Sequence, residues 1–201
     1  KGRTVSMLRD KDIREPLFDF LEEAYGKVRI LEEKTMGKSR ADVVMVTPNA
    51  LFGIEIKSDA DTYARLGRQV KDYNQYYDYN YVVAGTSHAL HVEEHIPEWW
   101  GVITAELVED TVDFYILRRP KRNPKVNWKK KISILWRPEL AHIQELNGLP
   151  KYKEKSKLFV AGKILERIPE ETLQAQLCEE LFERDYNGIA EAIRSYRKAN
   201  Q

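Results

Sequence analysis

The chain has 201 residues, of which 42% are apolar and 32% are charged, and its formal net charge is +1. This composition is typical of a soluble globular protein, and the small net charge gives no global electrostatic reason to expect a nucleic-acid partner. A single cysteine, Cys178, excludes an internal disulfide, and no apolar run approaches the roughly 20 residues that span a bilayer. We therefore expect a cytoplasmic protein that has no membrane partner.

The hydrophobic pattern predicts a helix first and then three strands. Apolar residues at helical spacing indicate a helix from Asp12 to Tyr25, and Asp12 and Glu15 have the spacing of a capping box. Extended runs follow, separated by turn residues, at 28–32, 41–47 and 51–57. They predict an antiparallel meander.

A second helix, another strand and a strand pair follow the meander. Apolar and tyrosine residues recur every three or four positions between 61 and 77, which predicts a helix. After it, the pattern predicts a buried strand, a short helix and two paired strands, at 81–85, 87–95, 101–106 and 112–117. The order of these elements predicts a mixed α/β fold.

The chain changes character after residue 117. The basic segment, residues 118–131, carries eight basic side chains, no acidic side chain and two prolines, which is typical of a solvated linker. Its Lys129 and Lys130, next to Trp128, either contact nucleic-acid phosphates or belong to that linker. We therefore expect a core at 1–117, the basic segment, and a C-terminal helical region at 132–201.

Opposite charges lie on the third predicted strand, at Glu55 and Lys57. Residues two apart on a strand share a face, so these two side chains point one way while Ile54 and Ile56 point the other way. Asp42, on the preceding antiparallel strand, would approach Glu55. Two close carboxylates raise each other's pKa unless a cation such as Mg²⁺ neutralises them, and with a lysine they would suit phosphodiester hydrolysis. The alternative is a solvated cross-strand salt bridge.

Asp42, the tripeptide Glu55-Ile56-Lys57 and the residues Gln69 to Tyr73 of the next helix together resemble the PD-(D/E)XK nuclease superfamily, particularly its RecB-like and Holliday-junction-resolvase-like branches. The resemblance covers residues 10–106. It implies a restriction-endonuclease-like core of helix, three-strand meander, helix and strand, here with added strands and a C-terminal helical extension.

The resemblance also implies a function, which is metal-dependent hydrolysis of DNA phosphodiester bonds with Mg²⁺ or Mn²⁺, in repair, recombination or the processing of phage or mobile-element DNA. It makes Asp42, Glu55 and the carbonyl of Ile56 metal ligands. Related proteins often add a glutamate of the first helix, for which Glu15 is the candidate, unless it serves only in the capping box. Ala41 departs from the proline that usually precedes the aspartate.

Further roles implied by the resemblance fall on the third strand and the second helix. Lys57 becomes the catalytic lysine, with Gln69 as a catalytic partner. Tyr73, four positions after Gln69, would brace the site or contact the nucleic-acid backbone. Arg65 and Arg68 either contact phosphates or form a solvated helix face.

Other readings of the sequence stay open. His91 and His95 have the HxxEH spacing of inverted zinc proteases, although Pro97 ends the segment early. Residues 138–168 weakly resemble the SAP DNA-binding module. The main functional alternative is a catalytically silent nuclease-fold protein that binds DNA, or that binds a host or phage protein through its C-terminal helices. A homodimer is also possible, because resolvase-like proteins are often dimers.

Overall fold

The computed structural model describes residues 8–199, and the chain forms two compact units that divide after Lys131. The predicted core begins at residue 1 and the predicted C-terminal region ends at residue 201, so their outermost residues, 1–7 and 200–201, lie outside the described part. The first unit combines helices with a sheet, and the second is helical.

The first unit has its helices and strands in the expected order. Helix α1 comes first, and the remaining elements are β1 to β3, α2, β4, α3, a 3₁₀ turn, β5, β6 and the short α4 at the division between the units. Their bounds are Asp10–Tyr25 for α1, Arg29–Met36, Ser39–Val46 and Leu51–Lys57 for β1 to β3, Leu66–Tyr76 for α2, Tyr79–Gly85 for β4, Thr86–Val92 for α3, Glu93–His95 for the 3₁₀ turn, Gly101–Val108 for β5, Thr111–Arg118 for β6 and Trp128–Ile132 for α4.

The strands form a mixed sheet. Within residues 8–199 it has six strands in sequential order, β1 to β6. Strand β2 is antiparallel to both β1 and β3, β4 is parallel to β3 and to β5, and β6 is antiparallel to β5. The expected meander, the expected strand pair and the mixed α/β class are therefore confirmed.

Helices α1 and α2 contact opposite faces of β3. Ile54 and Ile56 belong to the apolar cluster that includes the buried side of α1. Glu55 and Lys57 instead reach side chains of α2. The predicted division of this strand into an apolar face and a charged face is confirmed, and it directs the charged face toward α2.

The basic segment is mostly exposed, as a solvated linker would be, but two of its residues are buried in the first unit. Asn123 is buried, its N–H donates to the carbonyl of Asp78 at 2.8 Å, and its side-chain amide donates to the carbonyls of Asn74 and Tyr77, each at 2.7 Å. Lys131 is also buried, with its Nζ 2.5 Å from Oδ1 of Asp78. Carbonyls at the end of a helix need partners from outside the helix. The segment supplies such partners at the end of α2, which explains why Asn123 is buried although most of the basic side chains around it are exposed.

The second unit consists of helices α5 (Arg137–Leu146), α6 (Lys157–Arg167), α7 (Glu170–Phe182) and α8 (Tyr186–Ala199). Arg184 is buried and donates to both carboxylate oxygens of Glu139, at 3.0 and 2.6 Å, while its guanidinium lies 3.8 Å from the centre of the Trp136 ring. None of the helices described here is both long enough and apolar enough to cross a bilayer.

Candidate active site

An open cleft of about 490 Å³ lies in the first unit, between β2, β3 and the start of α2. It brings together most of the residues that the sequence singles out. Those that line it are Asp42, Glu55, Ile56, Lys57, Arg65, Arg68 and Gln69. The approach of Asp42 to β3, expected from strand geometry, is therefore present, and the roles of these residues stay predictions.

The two carboxyl groups of the cleft interact directly. Oδ2 of Asp42 accepts from the N–H of Ile56 at 2.8 Å, and the Asp42 carboxyl group is close enough to Glu55 to raise the pKa of Glu55 by repulsion. Burial and then repulsion by Asp42 raise the pKa of Glu55 to about 8, and burial also raises the pKa of Asp42. Without a cation, this pair therefore retains a proton at neutral pH.

Tyr73 braces the carboxyl pair from within the protein. Its hydroxyl lies 2.6 Å from Oε2 of Glu55 and 3.0 Å from the carbonyl of Ile54, and it accepts from the N–H of Asp42 at 3.1 Å. The prediction that Tyr73 contacts nucleic acid is wrong, because its side chain is 0% exposed and has no surface to offer a ligand. Its hydroxyl fixes the orientation of Glu55 instead.

The lysine of the cleft is buried and held by α2. Lys57 is 7% exposed, its Nζ donates to Oε1 of Gln69 at 2.9 Å, and it lies 3.5 Å from Oε1 of Glu55. Because Gln69 is on α2 and Lys57 is on β3, their hydrogen bond joins two elements. Gln69 thereby limits the positions that the ammonium group can adopt.

Glu15 does not line the cleft. It is exposed on α1, and the helix begins at Asp10 rather than Asp12. The predicted capping box is also wrong, because a carboxylate oxygen of Asp12 accepts from the N–H of Arg9 at 3.1 Å.

Helix α1 contributes Asp10 and Arg14, which sequence reasoning missed. Asp10 lines the cleft, and its Oδ1 lies 2.5 Å from Nε of Arg14. Arg14 donates to the carbonyl of Asp42 at 3.2 Å, and another of its nitrogens lies 3.6 Å from Oδ1 of Asp42. Asp10 and Arg14 are four positions apart, which is the spacing of a paired helix face, but the helix predicted from the sequence began only at Asp12 and so left Asp10 out.

The two lysines of the basic segment that were predicted to contact phosphates do not lie at the cleft. Lys129 and Lys130 are exposed on α4 and do not line it. The neighbouring Lys131 is paired with Asp78, and its ammonium lies 4.2 Å from the centre of the Trp128 ring. The Trp128 ring therefore already has a cationic partner within the protein.

The HxxEH motif has no metal site around it. The ring of His95 stacks on Tyr63, with 4.7 Å between ring centres, and Nε2 of His88 lies 3.9 Å from Oδ1 of Asp59. Among residues 8–199, no three His, Cys, Asp or Glu side chains form a group that could hold a metal ion. The cleft accordingly offers a cation two carboxylates and backbone oxygen rather than a complete cage of side chains.

The mouth of the cleft carries basic side chains from two elements. Arg65 and Arg68 come from the start of α2, and Lys38 and Arg40 come from the hairpin between β1 and β2. All four are exposed. The carboxyl pair, in which Glu55 is buried and Asp42 is half-buried, thus has four basic side chains at the surrounding surface, beside the acidic Asp10 and Asp61.

Comparisons with known proteins identify a family but no closer relative. No curated protein and no solved structure matches the chain. The family described as Bacteriophage P4 protein cII matches residues 3–196, which fits the expectation of a phage-related protein. Because this match extends over nearly the whole chain, the protein belongs to the bacteriophage P4 protein cII family.

Proposed function

We propose that the protein is a metal-dependent nuclease that hydrolyses DNA phosphodiester bonds in the cleft of its first unit. One observation carries the proposal: Asp42, Glu55 and Lys57 converge in a cleft that has basic side chains at its mouth. The element order α1, β1 to β3, α2, β4 supports it further, since this is the order that the PD-(D/E)XK resemblance implies.

The oxygen atoms of the carboxyl pair suit a hard divalent cation. Burial and repulsion by Asp42 keep a proton on Glu55 at neutral pH, and a cation bound by both carboxyl groups can replace that proton and relieve the repulsion. Asp42, Glu55 and the carbonyl of Ile56 would hold Mg²⁺ or Mn²⁺, with water and substrate oxygens as further ligands. The cation supplies a more acidic water and neutralises charge on the phosphate.

The protein's own groups orient the reaction. Lys57, held by Gln69, places a positive charge where negative charge develops on the phosphate. Tyr73 keeps Glu55 in one orientation through the 2.6 Å hydrogen bond. Because all these groups lie on β3 and α2, the site is built on regular elements rather than on loops.

The proposal is tested by incubating the protein with labelled linear, circular and branched DNA in Mg²⁺ or Mn²⁺. We expect cleavage by the parent, and at least a hundredfold loss in Asp42→Ala and in Lys57→Ala, as for removal of an electrostatic catalytic group. Glu15→Ala, an acidic position outside the cleft, is the matched control and should cleave like the parent. Equal cleavage by parent and Lys57→Ala would point to a contaminating nuclease and contradict the proposal.

A catalytically silent DNA-binding module is the alternative, and Arg14 favours it. Its guanidinium lies 3.6 Å from Oδ1 of Asp42, so a side-chain cation already neutralises part of the carboxyl pair. Under this alternative the parent would bind DNA but cut none of the substrates, and Asp42→Ala would leave binding unchanged.

A further inference from the structure

The hairpin between β1 and β2 forms a wall of the cleft that the sequence did not indicate. Lys38 lies in its turn and Arg40 on β2, and both line the cleft together with residues of α2. Their side chains are exposed, whereas Glu55 and Lys57 at the centre are buried. The hairpin therefore presents positive charge at the surface of the cleft.

The turn of this hairpin contacts α2. Met36 pairs with Ser39, which leaves a two-residue turn of Gly37 and Lys38, and Gly37 has φ of 58°. Positive φ at the first turn position favours glycine. The N–H of Gly37 donates to the hydroxyl of Tyr76 at 3.0 Å. This hydrogen bond fixes the position of the backbone next to Lys38 relative to α2.

The strand geometry aligns the hairpin charges with the carboxyl pair. Arg40 and Asp42 are two residues apart on β2, so they share a face and lie roughly 7 Å apart along the strand. Lys38 lies one further step of two residues away, in the turn. This spacing is of the order of one nucleotide step in an extended strand, so each position along β2 can meet a successive phosphate.

We propose that the hairpin positions the substrate by contacting the phosphates that follow the scissile one along a polynucleotide strand. Arg40 contacts the adjacent phosphate and Lys38 contacts the next. This inference rests on the proposed function for the position of the scissile phosphate at Asp42 and Glu55. The proposed ligand is a nucleic-acid strand that runs along β2. Beyond the bond that is cut, the strand therefore continues toward the hairpin, and its next phosphates lie there.

Salt dependence of binding tests these contacts directly. A labelled DNA oligonucleotide is titrated in EDTA, where no metal is present, at several salt concentrations, and binding is followed by fluorescence anisotropy. Each phosphate contact contributes about 0.7 to 0.9 to the slope of log affinity against log salt. We expect Lys38→Ala and Arg40→Ala each to reduce the slope by that amount and to weaken binding about fivefold near 0.15 M salt, independently of DNA sequence.

Two controls separate charge from structure. Lys38→Arg keeps the positive charge and should restore both the slope and the affinity. Lys11→Ala removes an exposed lysine of α1 that does not line the cleft and should behave as the parent. Loss of binding in Lys38→Ala that Lys38→Arg does not restore would overturn the contact.

The outcomes distinguish the hairpin from the nuclease reaction. If the parent cleaves DNA but both alanine variants bind with the parent's slope and affinity, the hairpin contacts are wrong and the proposed function stands. If the variants change the slope as expected but the parent cleaves nothing, the hairpin contacts stand and the nuclease reaction is wrong. If the parent does not bind DNA at any salt concentration, the hairpin inference is overturned.

Discussion

Glu55 is a carboxyl group that is 3% exposed and lies beside a second carboxyl group, that of Asp42. Its pKa is raised from 4.5 to about 8, chiefly by burial. The folded protein therefore keeps a proton that the unfolded chain releases between these two pH values. The stabilisation from protonated Glu55 is fully present below about pH 4.5 and is lost as the pH rises through about 8.

In EDTA, Glu55→Gln should flatten the decline in stability that the parent shows between about pH 4.5 and pH 8. Glutamine keeps the shape of the protonated side chain and cannot ionise, so the free energy of unfolding loses the part of its pH dependence that comes from this group. The difference between variant and parent should grow from about pH 4.5 to about pH 8, to the order of a few kcal/mol, and then level off. Thermal melts across this range measure it, and Glu15→Gln, on an exposed position, should keep the parent's decline.

Tyr73→Phe should weaken both the fold and the cation site. The substitution removes the hydroxyl that bonds Glu55 and leaves the N–H of Asp42 without that acceptor. We expect a loss of about 1–3 kcal/mol in urea unfolding, and about a 10- to 100-fold loss in Mn²⁺ affinity, as for groups that orient metal ligands. Tyr115→Phe, at an exposed position, is the matched control. Parent-like Mn²⁺ affinity in Tyr73→Phe would show that the hydroxyl does not orient Glu55.

At the scale of elements, the site depends on how closely α2 approaches β3. Gly53 allows this approach, because a Cβ built there would lie 2.4 Å from the Tyr77 ring and 2.6 Å from the Tyr73 ring. The same glycine therefore sets the position of Tyr73 over the carboxyl pair. Sequence periodicity identifies the two elements, but it does not measure the distance between them.

Gly53→Ala should destabilise the protein by about 1–3 kcal/mol or more, since overpacking forces neighbouring side chains out of place. DNA cleavage should fall as well, because Tyr73 is one of the displaced side chains. Gly67→Ala, within α2 and with no atom within 4 Å of its built Cβ, should be neutral or stabilising by up to about 1 kcal/mol. Chemical denaturation of both variants makes the comparison, and equal stability of the two would contradict the close packing of α2 on β3.

A second prediction concerns how the buried Lys131 of the basic segment contributes to stability. Lys131→Met leaves the buried Asp78 carboxylate without its ammonium partner, so we expect a loss of about 3–5 kcal/mol in the free energy of unfolding. Lys129→Met, at an exposed position on the same short helix, should change stability by less than about 0.5 kcal/mol. If the two variants were equally stable, the pairing of Lys131 with Asp78 would not anchor the segment, and the segment would be only a solvated linker.

At the scale of the whole molecule, local periodicity is enough to predict the order of helices and strands in the first unit, but it is less informative at their ends. The ladder between β1 and β2 continues to Met36 and Ser39, because backbone pairing extends through polar residues. Helix α2 begins at Leu66 rather than near 61, because the carboxylate of Asp61 accepts from the N–H of Ser58 and forms a turn first.

The centre of the cleft was easier to predict than its rim. Asp42, Glu55 and Lys57 follow from strand alternation and the antiparallel register, which are local properties. The position of Lys38 at the cleft depends on the hydrogen bond between its turn and Tyr76 of α2, which is distant in the sequence. The burial of Tyr73 likewise depends on tertiary packing. Both are set by contacts between elements, which a single sequence does not display.

The most direct measurement is cleavage of DNA by the parent protein first in EDTA and then after Mg²⁺ is added in excess. We expect no cleavage in EDTA, cleavage when Mg²⁺ is restored, and no restoration in Asp42→Ala or Glu55→Gln, because these variants lack one of the two carboxylates. Undiminished cleavage in EDTA, or full restoration by Mg²⁺ in both variants, would contradict a metal-dependent reaction at this carboxyl pair.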